Sequence, residues 1–223
     1  MSIFKAIRAG IEKIVVSKTV RMNISLTLGA LFNFVYIAGN IASALLYRNP
    51  WSATLTAYHL VMITTRLYLL SAARHSAEKG KIYRICHRVG VLLLLSDLAA
   101  AFMIIYTLQR GTHSSYSGII FLGVLSFSVY SLTSSLLAIR RHRGENKYLH
   151  LTARTISLST ALMSIFNLQH SFFALIGADS RASSILVLLV GVGAFSTILV
   201  MSIRLIRLTR RLLFTSQNSS KIV

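Results

Sequence analysis

Long apolar stretches alternate with short polar ones along the whole chain. Six stretches are mostly apolar and at least as long as the roughly 20 residues that a helix needs to cross a bilayer. They cover residues 22–46, 51–73, 89–109, 117–139, 155–177 and 183–205. Because lipid offers the backbone no hydrogen-bond partners, such segments fold as helices. The pattern predicts an all-α membrane protein whose transmembrane domain, residues 22–207, is a six-transmembrane-helix bundle.

The first 21 residues have a different pattern. Apolar residues such as Ile3, Ile7 and Ile11 recur at helical spacing, while Lys5 and Arg8 fall on the other side. This pattern is typical of a basic amphipathic helix that lies in the membrane interface. We therefore expect residues 1–21 to form an N-terminal interfacial helix, and residues 208–223 to form a cytoplasmic tail.

The charges are distributed unevenly between the two ends of the predicted spans. The chain has 24 Lys and Arg residues and 5 Asp and Glu residues, a net charge of +19. Five cations fall in each of four segments, 5–21, 74–88, 140–154 and 204–221, and these account for 20 of the 24. The other connections between spans hold single arginines. Cytoplasmic segments carry an excess of Lys and Arg, so both termini are predicted to be cytoplasmic.

Aromatic residues lie near the opposite, outer ends of the predicted spans. They are Tyr47, Trp51, Tyr106 and Tyr116. Tyr and Trp are enriched where a membrane meets water. We expect these four residues to form an aromatic belt rather than a ligand site.

Composition narrows the possible functions further. The chain is 54% hydrophobic and only 13% charged, whereas a soluble domain has about 25% charged residues. The composition therefore argues against a soluble enzyme and against a nucleic-acid-binding protein. The sequence contains no nucleotide loop, GxSxG motif, HExxH motif or pair of catalytic carboxylates. We expect no catalytic residues, no cofactor and no metal, although the chain could still be an enzyme without a familiar motif.

Two charged residues lie deep inside predicted spans. Arg66 is eight residues from Arg74, at the basic end of the second span, and Asp97 is nine residues from Arg88, at the basic end of the third. At a rise of 1.5 Å per residue both lie roughly 12–14 Å from the cytoplasmic edge. Charged groups at such depth usually pair. We predict an Arg66–Asp97 ion pair, direct or through water, that either joins two helices or lines a polar pathway.

Other polar side chains recur on single faces of the predicted helices. They are Asn33, Tyr36, Asn40, His59, Tyr130, Ser134, Thr160, Ser164 and Asn167. Polar groups in a membrane turn towards the bundle interior, so this set predicts a polar interior around the ion pair. Interhelical hydrogen bonding explains such residues, and a hydrated cavity explains them equally well.

Three segments resemble a family of small bacterial multi-pass membrane proteins. The resemblance rests on Gly29–Asn33, on Tyr58, Arg66 and Leu69, and on the stretch from Ile156 to Gln169. It covers parts of the first, second and fifth spans, about a third of the chain. It implies six helices and a bacterial plasma membrane, and the family has no assigned activity to transfer.

These features lead to two hypotheses for the function. The first is a small permease or channel-like protein in the plasma membrane, with its polar interior centred on Arg66 and Asp97. The alternative is a membrane scaffold or accessory subunit that does not transport and acts through a protein partner. In either case the expected surroundings are the bilayer and its anionic inner-leaflet lipids, with a protein partner or a second copy as further possibilities and no nucleic acid.

Overall fold

A computed structural model of the protein describes residues 18–47, 50–74, 79–110, 118–139, 147–176 and 181–219. These residues form six helices and no strand. The helices are α1 (Lys18–Tyr47), α2 (Pro50–Arg74), α3 (Lys79–Arg110), α4 (Gly118–Ile139), α5 (Lys147–Leu175) and α6 (Arg181–Ser219). Each helix contains one predicted span, give or take two residues at its ends, so the prediction of an all-helical chain is confirmed for this part of it. Residues 1–17, most of the predicted interfacial helix, lie outside the described residues.

Helix α5 is the centre of the bundle. It packs against each of the other five helices. The other helices follow one another around it: α4 contacts α1, α1 contacts α2, α2 contacts α3, and α3 contacts α6. Among the described residues α4 and α6 share no contact. The α4–α5 pair is antiparallel: Ser128 Oγ donates to the Ser164 carbonyl (2.9 Å) and Ser135 Oγ donates to the Ser157 carbonyl (2.7 Å).

The central position of α5 explains its composition. A helix that packs on several sides has no single apolar stripe, and small hydroxyl residues let neighbouring backbones approach closely. Along α5 the buried polar residues include Ser157, Ser159, Thr160, Ser164 and Asn167. The polar stripe of the fifth span therefore lies in the interior of the bundle.

The outer surface of the bundle is apolar. Large hydrophobic side chains such as Leu45, Phe102 and Leu189 are more than half exposed, while polar residues such as Asn33 and His59 are fully buried. A soluble protein has the opposite distribution, since large exposed apolar surfaces are rare in water. The arrangement is that of a protein whose exterior faces lipid.

Three helices are long and apolar enough to cross a membrane. The qualifying stretches are Leu26–Leu46 in α1, Gly80–Phe102 in α3 and Ile185–Phe214 in α6, and α4 contains a shorter apolar stretch, Phe121–Thr133. Helices α2 and α5 do not reach the same hydropathy because they carry many of the buried polar residues. The described part of the chain thus contains three candidate spans, whereas the hydrophobic pattern predicts six.

The cations gather at one end of the bundle. Every exposed cation whose side chain is described belongs to the beginning of α3 or to the last part of α6: Lys81, Arg84, Arg88, Arg204, Arg207, Arg210 and Arg211. These two segments lie side by side, since His87 Nδ1 is 3.3 Å from Thr209 Oγ1. The tertiary structure therefore brings two of the basic segments to the same end.

Two neighbouring glycines of α6 have different surroundings. A Cβ atom on Gly191 would lie 2.8 Å from Cε2 of Phe166, a buried residue of α5. A Cβ atom on Gly193 would meet nothing within 4 Å. Gly191 therefore allows α5 and α6 to pack closely, whereas Gly193 has no such role.

We expect Gly191→Ala to destabilise the protein by about 1–3 kcal/mol, because the added methyl group overpacks a filled contact. The matched control Gly193→Ala should leave stability unchanged or raise it by up to about 1 kcal/mol, since alanine favours a helix. The thermal unfolding midpoint of each variant in detergent measures the difference. Equal midpoints for the two variants would contradict the close α5–α6 contact.

Candidate functional site

Arg66 is buried in the interior of the bundle. It lies on α2, and only 4% of its surface is exposed. Its Nη2 donates a hydrogen bond to Thr160 Oγ1 of α5 at 3.3 Å. The Thr160 hydroxyl itself donates to the Ile156 carbonyl at 2.9 Å, so its oxygen is free to accept from the arginine. The guanidinium is thus held against the central helix.

Gly29 of α1 makes room for this guanidinium. A Cβ atom at position 29 would overlap Nη1 of Arg66 and lie 2.7 Å from its Cζ. The glycine precedes Asn33 by one helical turn, so the two share a face of α1. Sequence reasoning did not identify Gly29 as a site residue. Its place one turn from a predicted polar position is the signal that could have identified it.

The structure does not bring Arg66 and Asp97 together. Among the described residues no carboxylate contacts the Arg66 guanidinium, which faces α1 and α5. Asp97 is buried on α3, and its Oδ1 has no hydrogen-bond partner there. The prediction counted residues from the basic ends, which determines depth. Depth does not determine the direction in which each side chain points from its helix. Here the side chains of Arg66 and Asp97 do not meet.

Tyr58 is a further buried residue of α2 that contacts the central helix. Its hydroxyl donates to the Ser159 carbonyl of α5 at 3.3 Å, and its side chain is buried. Tyr58 thus joins α2 to α5 through a second hydrogen bond besides that of Arg66.

A chain of side-chain contacts runs from Asn33 to Trp51, at the start of α2. His59 Nδ1 lies 3.3 Å from Asn33 Oδ1, and the His59 ring meets the Tyr36 ring edge-on, with centroids 4.5 Å apart. Asn167 Nδ2 donates to the Tyr36 hydroxyl, and Trp51 Nε1 donates to Asn167 Oδ1 at 2.9 Å. These contacts connect α1, α2 and α5 through polar side chains.

The expectation for Trp51 is wrong. Only 1% of this side chain is exposed, and its ring packs against the rings of Phe166 and His170. Its indole N–H is satisfied by Asn167 inside the bundle. A Trp near the end of a predicted span is typical of an aromatic belt. Trp51 instead packs against α5 and is buried.

The remaining predicted polar residues have mainly structural contacts. Asn40 is buried and its Nδ2 donates to the Tyr36 carbonyl at 2.8 Å. Ser164 is also buried, and its Oγ donates to the Thr160 carbonyl at 2.7 Å. Tyr130 is partly exposed and stacks on Phe32, with ring centroids 3.8 Å apart. The side chain of Ser134 lies outside the described part of the structure.

A small polar pocket lies beside Arg66, between α1, α2, α4 and α5. It has room for about one water molecule. The residues that line it are Gly29, Asn33, Arg66, Phe127, Tyr130, Ser131, Ser157 and Thr160. Sequence reasoning predicted four of these as polar-interior or charged residues and missed the two serines, since serine is common in close helix contacts without any further role.

The pocket has hydrogen-bond donors without partners. Arg66 Nε and Asn33 Nδ2 are buried and make no hydrogen bond with the described residues. The lining contains no carboxylate. Among the described residues no group of three or more His, Cys, Asp or Glu is placed to hold a metal ion. The chemistry of this site is therefore that of a donor-rich, positively charged pocket.

Comparison with known proteins finds no relative. No protein-family model, no curated protein and no solved structure matches the chain. The resemblance described from the sequence therefore stays an expectation, and any function must be argued from the site itself.

We expect Gly29→Ala to destabilise the protein by about 1–3 kcal/mol, because the new methyl group displaces the buried Arg66 guanidinium. Gly39→Ala on the same helix is the matched control, since a Cβ atom there meets nothing within 4 Å. Thermal unfolding in detergent measures both variants. In an Arg66→Ala background the effect of Gly29→Ala should largely disappear, as expected for two residues in direct contact. An unchanged effect in that background would show that the arginine is not what the methyl group meets.

Proposed function

We propose that the protein crosses the cell membrane six times with both termini in the cytoplasm. The apolar exterior supports this arrangement, as do the three helices whose length and hydropathy suit a bilayer. Even α4, the shortest of the six with 22 residues, is about 33 Å long, enough to cross about 30 Å of hydrocarbon. Helices α2 and α5 have low hydropathy for a reason compatible with spanning: many of their polar groups are buried by other helices.

The basic end supports the proposed orientation. Exposed cations of α3 and α6 lie together there, and sequence places the other two basic segments at the same ends of alternate helices. Such an end faces the cytoplasm under the positive-inside rule. It would also attract anionic inner-leaflet lipids, with about 1 kcal/mol for each well-placed cation.

We further propose that the protein is a small permease or channel-like protein with its binding site at Arg66. The observation that carries this proposal is a buried arginine that has donors to spare and no carboxylate partner among the described residues. A charge at membrane depth costs about 2.5–3.5 kcal/mol on insertion scales and usually marks a functional site. Asp97 would serve separately as a buried acid that exchanges a proton.

One observation favours the alternative of a scaffold or accessory subunit. The axis of the bundle is filled by α5, and the pocket beside Arg66 has room for about one water molecule. A protein of this kind would use its basic cytoplasmic end to bind a protein partner or a second copy. The permease requires that the helices around Arg66 move apart during a transport cycle, which the scaffold does not.

The topology is tested by cysteine accessibility. In a Cys86→Ser background, single cysteines at Ser114 and Ser180 should react with a membrane-impermeant thiol reagent added outside cells. Cysteines at Ser76 and Ser220 should react only after the membrane is opened, because they lie in the proposed cytoplasmic segments. Labelling of all four from one side would rule out six spans.

Transport is tested by flux in proteoliposomes, with a panel of small anions and neutral polar solutes. Arg66→Gln should reduce the affinity for a transported anion about 10- to 100-fold, because a hydrogen bond to a charged group contributes about 1.5–3 kcal/mol. The matched control Arg207→Gln removes an exposed cation of α6 and should leave flux unchanged. No flux for any member of the panel would favour the scaffold.

A further inference from the structure

Arg66 carries a buried charge that has no counter-ion among the described residues. The whole chain contains five Asp and Glu residues, and Asp97 is the one that lies in the described helices. Its carboxylate does not contact Arg66. Buried charges in proteins are otherwise paired. The surroundings of Arg66 therefore lack a negative charge that a ligand can supply.

The groups around the guanidinium are suited to an anion. Asn33 Oδ1 lies 3.3 Å from His59 Nδ1, and Asn33 Nδ2 is a donor that has no partner among the described residues, in a side chain that lines the pocket. Arg66 Nε is a second donor without a partner. Ser131 and Ser157 add hydroxyl groups, which can also donate. Donors thus outnumber groups that can only accept.

The size and charge of the pocket restrict the ligand further. The pocket has room for about one water molecule, which favours a monatomic ion over organic anions and phosphate esters. One guanidinium supplies one positive charge, so a monovalent anion completes the charge balance. Gly29, Ser131 and Ser157 are the small residues of the lining.

We propose that this pocket binds one small monovalent inorganic anion of halide size, with Arg66 and Asn33 as its principal ligands. The inference rests on the proposed function, since it names the class of ion that the permease would handle. A water molecule fits the same space and can hydrogen-bond to the same donors. A water molecule does not neutralise the charge of the arginine, whereas an anion does, and this difference distinguishes the two ligands.

Binding is tested on the full chain in detergent, without any transport step. The thermal unfolding midpoint is measured in sodium chloride, sodium bromide and sodium gluconate at constant ionic strength. Chloride and bromide should raise the midpoint in a saturable way relative to gluconate, since a ligand of the folded state stabilises it. Identical midpoints in the three salts would overturn the proposal.

Two variants locate the effect at the pocket. Arg66→Gln should weaken the halide response at least about tenfold in concentration, because a charged ligand is lost. Asn33→Asp places a carboxylate beside the arginine as an internal counter-ion. It should abolish the halide response and raise the midpoint in gluconate. An Asn33→Asp protein that does not fold, or that keeps its halide response, would contradict the counter-ion argument.

Asn40→Asp is the matched control. Asn40 is also buried on α1, but its amide donates to the Tyr36 carbonyl and it does not line the pocket. This variant should be less stable and should keep the halide response. Loss of the response here as well would mean that the effect is not specific to the pocket.

Failure of this inference and failure of the proposed function give different results. Halide binding without flux in proteoliposomes would contradict the permease proposal and support the anion site. Flux of another solute without halide-dependent stabilisation would contradict the anion site and support the permease proposal.

Discussion

The contact of α5 with all five other helices is the constraint on which the rest of the structure depends. The faces of α5 that these helices cover carry polar groups, and several of those groups have partners on neighbouring helices. The carbonyls of Ser157 and Ser164 accept hydrogen bonds from serines of α4. Thr160 and Asn167 accept hydrogen bonds from Arg66 and Trp51, which lie on α2. Hydrogen bonds, in addition to side-chain packing, thus hold the neighbouring helices against α5.

The position of Arg66 follows from this constraint. Its helix lies beside α5, and its guanidinium reaches the Thr160 hydroxyl while occupying the space left by Gly29. Arg66 Nη2 has a partner in this position, whereas Nε has none among the described residues. An arginine held in this way joins α2 to α5 and keeps an unused donor. The anion proposed above would bind to that donor.

The candidate site was predictable in part. Polar residues in predicted spans had to face inward, and Asn33, His59, Thr160 and Asn167 are indeed buried. Their pairing was not predictable, because the number of residues along a helix determines depth but not the direction relative to a neighbour. Asp97 illustrates this, because it is buried on α3 as expected but makes no direct contact with Arg66. Gly29 was missed because a glycine has no polar group to reveal its role.

The sequence by itself determined the six helices and the uneven distribution of the cations. Both depend on local properties, namely the length of each apolar stretch and the charge of the residues that flank it. Only the tertiary structure decided that α5 is central, that Trp51 is buried and that Arg66 meets Gly29 and Thr160. Those outcomes depend on the rotation of each helix about its own axis. Rotation is set by contacts with several neighbours at once, and no single helix contains that information.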